Sequence, residues 1–168
     1  KLIKDSIHGV LESGEFAIET AAFLRKKFNL KGLKDNNLKK IINKIYQKKL
    51  FHNIGIKTPQ HKLTTLKKLL EDDYSDLSFP LVVKIPESFG GKNVWICKEQ
   101  KDLEKTIKQI SKLDYKEELL LEDFIKGQEF AISGFINNEN IYDFTSYTVK
   151  RRRATAQLEY GILNCSND

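Results

Sequence analysis

The sequence is poor in the residues that build disulfide frameworks and metal sites. It has two cysteines, three histidines, three prolines and no methionine among its 168 residues. Cys97 and Cys165 show no CxxC spacing, and the histidines are too far apart along the chain to indicate a metal site. A reduced, cytoplasmic protein is the simplest interpretation of this cysteine usage.

Long apolar runs are also absent. No apolar segment reaches the ~18 residues that a membrane-spanning helix needs, and the N-terminal stretch lacks the apolar core of a signal peptide. The sequence therefore predicts neither a membrane span nor export. Because the chain begins without methionine, we expect it to be an excerpt of a longer protein.

The composition that is present is ordinary for a globular protein, with an excess of positive charge. The chain is 40% hydrophobic and 31% charged, and it is long enough for one good core or two small lobes. All but four of its 29 basic residues are lysines, scattered among acidic residues along predicted helix faces. We interpret most of the formal net charge of +6 as solvated surface, with nucleic-acid binding as the less favoured alternative.

Hydrophobic periodicity predicts a mixed α+β chain. Apolar residues at helical spacing predict helices over residues 15–28, from Asp35 or Asn36 to about Ile54, from Thr64 or Thr65 to Leu70, and over residues 99–112. Strand patterns cover residues 61–63, 79–83, 94–97, 118–122, 130–136 and 141–149. A run of four positive charges, Lys150 to Arg153, interrupts the last of these patterns.

The segment FPLVVKIPESFGGKNV, residues 79–94, has the most distinctive pattern. An apolar run ends in Lys84, a loop with Gly90 and Gly91 follows, and a second apolar run comes next. Glycine tolerates unusual φ and close approach to a ligand, and a strand-end lysine is a mobile point charge, so the segment suggests phosphate binding. An ordinary hairpin with an exposed lysine is the alternative. A P-loop is excluded because asparagine, not Ser or Thr, follows Lys92.

Three segments, in this order and spacing, resemble the ATP-grasp superfamily. They are NKIYQKKLFHNIGIKTP at residues 43–59, FPLVVKIPESFGGKNV at 79–94 and LLEDFIKGQEFAIS at 120–133. They look closest to the carbamoyl-phosphate-synthase-like and biotin-carboxylase-like branch. Residues 9–33 are similar to the tail of the domain that precedes the ATP-grasp module in such enzymes. No single motif is specific, and the resemblance depends on their order.

The resemblance implies a partial ATP-grasp fold of the α+β class, with two α+β lobes and a nucleotide cleft between them. Helices from a Rossmann-like domain would precede it. Residues 1–58 would be the end of that domain with a linker helix, residues 59–117 the small lobe with its glycine flap, and residues 118–168 the beginning of the large lobe.

The resemblance also implies roles for individual residues around ATP. Lys44 would reach the triphosphate, although the acid that precedes it in the family is Asn43 here, and Lys84 would bridge the α- and β-phosphates. The flap that closes over the phosphates would contain four residues, Ser88, Phe89, Gly90 and Gly91.

Further residues are implied for the nucleoside. The carboxylate of Glu122 and the main chain of Asp123 and Ile125 would hydrogen-bond adenine, and Glu129 would accept the ribose hydroxyls. Trp95 is expected to pack between a strand and a helix instead of stacking on the base.

The implied function is that of an ATP-dependent carboxylate–amine ligase, which activates a small carboxylate as an acyl phosphate for attack by an amine or another nucleophile. Family members hold Mg²⁺ with acidic residues and an asparagine downstream of the ribose acid, and this sequence stops before them. We therefore expect Mg²⁺ to bind only together with that C-terminal segment. We expect the 168 residues alone to bind nucleotide weakly and to turn over poorly or not at all.

Two other classes of function stay open. One is a basic module for nucleic acid or another polyanion, centred on Lys150 to Arg153, although side chains that alternate between strand faces suit a groove less well than a one-sided patch. The same arginines are also candidates for binding an acidic acceptor substrate. The other class is a non-catalytic ATP-grasp relative that serves as a scaffold. A homodimer is an open alternative to a monomer.

Overall fold

The computed structural model describes residues 7–34, 37–71, 74–137, 140–151 and 158–161. The chain divides into two compact units. The first contains the residues up to Phe89 together with Asn93–Phe124, and the second contains Gly90–Lys92 together with the residues from Ile125 onward. None of the helices in these described ranges has the length and apolarity to cross a membrane.

Among the described residues, three α-helices precede the first strand. A short 3-10 turn at Glu15–Ala17 leads into α1 (Ile18–Lys27), and α2 (Leu38–Ile42) and α3 (Lys44–Asn53) follow. The predicted helix over residues 15–28 is confirmed. The buried Arg25 of α1 donates through Nε and Nη2 to the carbonyl oxygen of Val10, at 3.0 and 2.7 Å, so the irregular segment before α1 is fixed to it.

The prediction of one continuous helix ending near Ile54 is wrong because Asn43 divides it. Asn43 has extended backbone, with φ −99° and ψ 117°, and its side-chain Oδ1 accepts hydrogen bonds from the N–H groups of Ile45 and Tyr46 at 2.9 and 3.3 Å. These bonds satisfy donors that a helix N-terminus leaves open, so a new helix begins at Lys44. The predicted caps Asp35 and Asn36 lie outside the described residues.

A four-stranded antiparallel sheet forms the centre of the first unit. Its strand order is β1-β4-β2-β3, and each neighbouring pair is antiparallel. The strands are β1 (His61–Thr65), β2 (Leu81–Lys84), β3 (Val94–Cys97) and β4 (Glu118–Asp123), with α4 (Leu66–Glu71) after β1 and α5 (Gln100–Ser111) after β3. The predicted order of strands and helices over this region is confirmed.

One face of this sheet packs against α4 and α5. Successive side chains of β2 and β4 point to opposite faces of the sheet, so every second residue lies on this face and meets the apolar sides of both helices. The buried cluster includes Leu81, Val83, Leu119 and Leu121 of the sheet, Leu69 of α4, and Leu103, Ile107 and Ile110 of α5. Trp95 packs against this cluster, and its Nε1 donates to Gln109 Oε1 of α5 at 2.7 Å, which confirms its predicted place between strand and helix.

The second unit contains a three-stranded antiparallel sheet. Its strands are β5 (Glu129–Asn137), β6 (Asn140–Arg151) and β7 (Leu158–Gly161), in that order. The predicted pairing of β5 with β6 is confirmed, whereas no strand was predicted where β7 lies. β6 continues through Lys150 and Arg151, so the prediction that the basic run interrupts the strand is wrong for these two residues. Arg152 and Arg153 lie outside the described residues.

Candidate functional site

Three lysines and one glutamate come together in the first unit, on the sheet face that α4 and α5 do not cover. β2 provides Lys84, β4 provides Glu122, and α3 provides Lys44 and Lys48. We call these four residues the lysine cluster. They reach it from three elements that are well separated along the chain, so the antiparallel sheet and the restart of the helix at Asn43 create the site.

Glu122 is the centre of the lysine cluster. In the register of β2 with β4, Val82 lies opposite Glu122 and Lys84 lies opposite Leu120, so Lys84 and Glu122 are diagonal neighbours on one face. Oε2 of Glu122 accepts from Lys84 Nζ, and Oε1 accepts from Lys48 Nζ at 2.7 Å. The side chains of Glu122 and Lys48 are only 5% and 8% exposed, whereas that of Lys84 is 24% exposed.

Glu122 is held in its ionised form by these partners. Burial by itself would raise the pKa of its carboxyl group, but the hydrogen bonds and positive charges of Lys48 and Lys84 outweigh burial and lower that pKa below its ordinary value. The carboxylate is therefore negative at neutral pH and binds both ammonium groups.

Lys44 connects α3 to the loop that follows β2. Its Nζ donates to the carbonyl oxygens of Pro86, at 3.3 Å, and Ser88, and lies 3.5 Å from Ser88 Oγ. Its backbone N–H also donates to the Pro86 carbonyl at 3.2 Å, and Asn43 Nδ2 donates to Glu87 Oε1 at 2.9 Å. The first turn of α3 is thereby fastened to residues 86–88.

The cluster carries unbalanced positive charge in a partly buried place. Burial, followed by repulsion from the ammonium of Lys84, lowers the pKa of Lys44 from its ordinary value. Counted formally, three ammonium groups and one carboxylate give these four residues a net charge of +2, and the carboxylate of Glu15 also acts on Lys44. An anion with several charged oxygens would relieve this repulsion, and phosphate groups are anions of that kind.

A nearby groove of about 640 Å³ in the first unit has the opposite electrostatic character. Its lining includes Glu87, Glu117 and Glu118 around Tyr115. Burial, and then the negative charge of these three carboxylates, raises the pKa of the Tyr115 hydroxyl. Such a groove repels phosphate, so the lysine cluster is the better candidate site for an anion.

The structure brings four of the predicted site residues together, namely Lys44, Lys84, Ser88 and Glu122. Ser88 is buried, and its Oγ donates to the Ile85 carbonyl at 2.7 Å. Asp123 ends β4, and its backbone N–H donates to the Gln60 carbonyl at 3.0 Å.

The remaining predicted site residues belong to the second unit. Gly90 and Gly91 have φ of 62° and 72°, a left-handed conformation that favours glycine. Ile125 is exposed, and Glu129 begins β5 opposite Val149.

Lys48 is the member of the cluster that sequence reasoning missed. It lies four residues after Lys44 on α3, and residues at this spacing share a helix face. This spacing, together with the apolar Ile45 three residues before Lys48, was the sequence pattern that could have indicated a lysine facing the core. It was not decisive because a lysine on a helix is usually solvated.

The described residues do not fit a magnesium site. Within those ranges, no three His, Cys, Asp or Glu side chains come close enough together to hold a metal ion. Glu122, the carboxylate of the lysine cluster, already binds a lysine through each oxygen.

Comparison with known proteins identifies the family. A family model described as phosphoribosylglycinamide synthetase, ATP-grasp (A) domain, matches residues 42–154, which is more than half of the chain and includes the whole lysine cluster. The chain belongs to the ATP-grasp family. The resemblance found in the sequence is thus confirmed, and the lysine cluster is part of an ATP-grasp domain.

Individual relatives agree with this assignment. A D-alanine–D-alanine ligase from Pelobacter propionicus is 31% identical over 137 residues, covering 72% of this chain and 43% of the ligase. A carbamoyl-phosphate synthase from Methanobrevibacter smithii is 28% identical over 93 residues, covering 54% of this chain and 22% of the synthase. This ATP-grasp chain thus spans less than half the length of each.

A solved structure supports the fold. The L-amino acid ligase from Bacillus licheniformis superposes with a TM-score of 0.70 at 25% identity, over 89% of this chain and 34% of that ligase. The predicted α+β ATP-grasp fold is confirmed, and this ATP-grasp chain matches part of the larger enzyme.

Proposed function

We propose that this chain is the nucleotide-binding part of an ATP-grasp ligase and that the lysine cluster holds the triphosphate of ATP. The observation that supports this most is the net positive charge of Lys44, Lys48, Lys84 and Glu122, gathered within the segment that the ATP-grasp model matches. The similar proteins are ligases and a synthase by name.

The proposed roles follow from the exposure and partners of each side chain. Lys84 is the more accessible of the two lysines on Glu122, and in this proposal its ammonium bridges the α- and β-phosphates. Lys44 reaches the triphosphate from the start of α3, while it stays close to Ser88 of the flap. Gly90 and Gly91 complete the flap, whose backbone amides donate to phosphate oxygens.

The nucleoside is assigned to the residues that follow β4 and begin β5. In this proposal Glu122 and the main chain of Asp123 and Ile125 bind adenine, and Glu129 binds the ribose. Both oxygens of Glu122 already accept from lysines, but a carboxylate oxygen has a second lone pair and can also accept from the exocyclic amine of adenine. The Asp123 N–H is used by Gln60, so the base would meet the carbonyl oxygen of Asp123.

In the proposed reaction a carboxylate oxygen of the substrate attacks the γ-phosphorus of ATP and ADP leaves, which gives an acyl phosphate. An amine or another nucleophile then attacks the acyl carbon and phosphate leaves. The lysine cluster contributes by placing the triphosphate and by stabilising negative charge on its oxygens.

The test is calorimetric titration of a non-hydrolysable ATP analogue into the chain and two lysine variants. Lys84→Ala should weaken binding by about tenfold or more, because a phosphate loses a charged partner. Lys62→Ala is the matched control because Lys62 is an exposed strand lysine. Its register partner Leu121 belongs to the core cluster, so Lys62 lies on the sheet face opposite the lysine cluster. Equal affinity of the wild type and Lys84→Ala would refute the assignment of Lys84.

A second titration separates ATP binding from the polyanion alternative. Salt-sensitive binding of short RNA or DNA that the ATP analogue does not displace would favour a basic module instead. The side chains of Lys150 to Arg153 lie outside the described residues, so a function centred on them stays a prediction from the sequence.

A further inference from the structure

We propose that Lys48 is a positioning residue for nucleotide binding, which holds the Glu122 carboxylate so that Lys84 can turn from Glu122 to a phosphate. This inference rests on the proposed function. Lys48 itself would not contact the nucleotide.

The first step of the argument is the way in which Lys48 is held. Its Nζ donates to Glu122 Oε1 at 2.7 Å and to the Pro59 carbonyl at 3.3 Å, and its side chain is 8% exposed. An ammonium with two fixed acceptors and little access to solvent is poorly placed to bind a ligand. It is well placed to fix and neutralise the carboxylate beside it.

The second step is the difference between the two lysines on Glu122. Lys84 is about three times as exposed as Lys48, and it occupies the other oxygen of the same carboxylate. Without nucleotide, Lys84 and Lys48 share one negative charge. A phosphate near Lys84 therefore competes with Glu122 for the Lys84 ammonium. The buried Lys48 ammonium is out of reach of that phosphate and stays on Glu122.

The third step is the cost of moving Lys84 if Lys48 were absent. Glu122 is 5% exposed, and a buried carboxylate without a cation is strongly unfavourable. With Lys48 in place, Glu122 keeps one cation when Lys84 binds phosphate. Without Lys48, Lys84 would be needed on Glu122, and the phosphate would lose it.

Lys44 cannot substitute for Lys48 in this role because its ammonium has other partners. Its Nζ donates to the carbonyl oxygens of Pro86 and Ser88 in the loop after β2. Lys49, the next residue after Lys48, is exposed and lies with its Nζ 5.5 Å from the centre of the Tyr46 ring. Lys49 therefore provides a matched control on the same helix.

The test compares the affinity of the intact chain for a non-hydrolysable ATP analogue across charge variants. Lys48→Gln should weaken binding by about tenfold, and Lys48→Arg, which keeps the charge, should recover most of the loss. Lys49→Gln should bind like the wild type. Wild-type affinity in Lys48→Gln, or an equal loss in Lys49→Gln, would overturn the proposal.

A double variant distinguishes positioning through Glu122 from a general structural effect. In a Glu122→Gln background no buried carboxylate needs neutralising, so adding Lys48→Gln should change the affinity by less than about twofold. If Lys48→Gln weakens binding as much in that background as in the wild type, the proposal is wrong. If Lys48→Gln alone fails to fold, the comparison of Glu122→Gln with the double variant still tests the proposal. Circular dichroism establishes that the double variant is folded.

The outcome for Lys84→Ala separates the two proposals. If Lys84→Ala loses affinity and Lys48→Gln does not, the proposed function stands and only the role of Lys48 fails. If the wild type and Lys84→Ala bind the analogue equally, or neither binds it, both proposals fail.

Discussion

Replacing Glu122 with glutamine should destabilise the first unit by about 3 kcal/mol. In this variant the Lys48 ammonium loses its counter-charge and keeps only the Pro59 carbonyl and a neutral amide as partners. The Lys48 side chain is 8% exposed, so water replaces little of what is lost. Two unit charges about 4 Å apart interact by about 4 kcal/mol at an effective dielectric constant of about 20. Two effects offset part of this lost interaction energy. The Lys84 side chain is 24% exposed and can turn to water, and the variant no longer buries a carboxylate.

Urea unfolding near neutral pH measures this effect. Trp95 is the one tryptophan of the chain and packs against the core of the first unit, so its fluorescence reports unfolding of that unit. Glu118→Gln is the matched control because Glu118 is an exposed residue of the same strand, and it should change the free energy of unfolding by less than about 0.5 kcal/mol. A loss below about 1 kcal/mol for Glu122→Gln would contradict the view that Glu122 neutralises a buried lysine.

Three further predictions follow from individual side chains. Because the pKa of Glu122 is lowered from 4.5, the stability it adds is fully present above that value and lost as the pH falls through its lower folded value. The gap in unfolding free energy between the wild type and Glu122→Gln should therefore shrink on acidification, and a constant gap would contradict this. Because the pKa of Lys44 is lowered from 10.5, affinity for the ATP analogue should fall with rising pH before an ordinary lysine titrates, and Lys44→Arg should remove that fall. An unchanged pH profile in Lys44→Arg would exclude Lys44 as the titrating group. Asn43→Ala should cost about 1 kcal/mol in urea unfolding through the lost helix cap, whereas Asn37→Ala, at a helix start without a side-chain cap, should cost less than about 0.5 kcal/mol. Equal losses would show that the Asn43 cap does not stabilise α3.

The strands and helices over residues 61–123 were predictable because each has a local signal. β2 and β4 are short apolar runs, and α5 places Leu103, Ile107 and Ile110 on one side at helical spacing. β7, with the sequence LEYG, was missed because it lacks the apolar run that indicates the equally short strands β2 (LVVK) and β3 (VWIC).

The break at Asn43 was not predictable from hydrophobic periodicity. Ile41 and Ile42 before it and Ile45 after it continue one apolar pattern, which favours a single helix. The Asn43 side chain caps α3 through Oδ1, while its Nδ2 donates to Glu87 in the loop after β2. A local cap and a long-range contact therefore both mark the start of α3, and apolar periodicity reports neither.

The members of the lysine cluster differ in how far sequence could identify them. Lys84 was found from the apolar run and glycine loop around it, and Lys44 and Glu122 through the resemblance to the ATP-grasp superfamily. The roles of all three toward ATP stay predictions. The joining of Lys48 and Lys84 through Glu122 depends on the register of β2 with β4 and on the position of α3. No spacing within the sequence encodes these long-range contacts.

The most direct test of the central claim is lysine footprinting with and without a saturating ATP analogue. An amine-reactive reagent followed by mass spectrometry gives the modification rate of each lysine. The proposal predicts that the analogue protects Lys84 and Lys44, while the exposed Lys49 and Lys62 react at unchanged rates. Bound analogue with unchanged rates at Lys84 and Lys44 would contradict the claim that the lysine cluster holds the triphosphate.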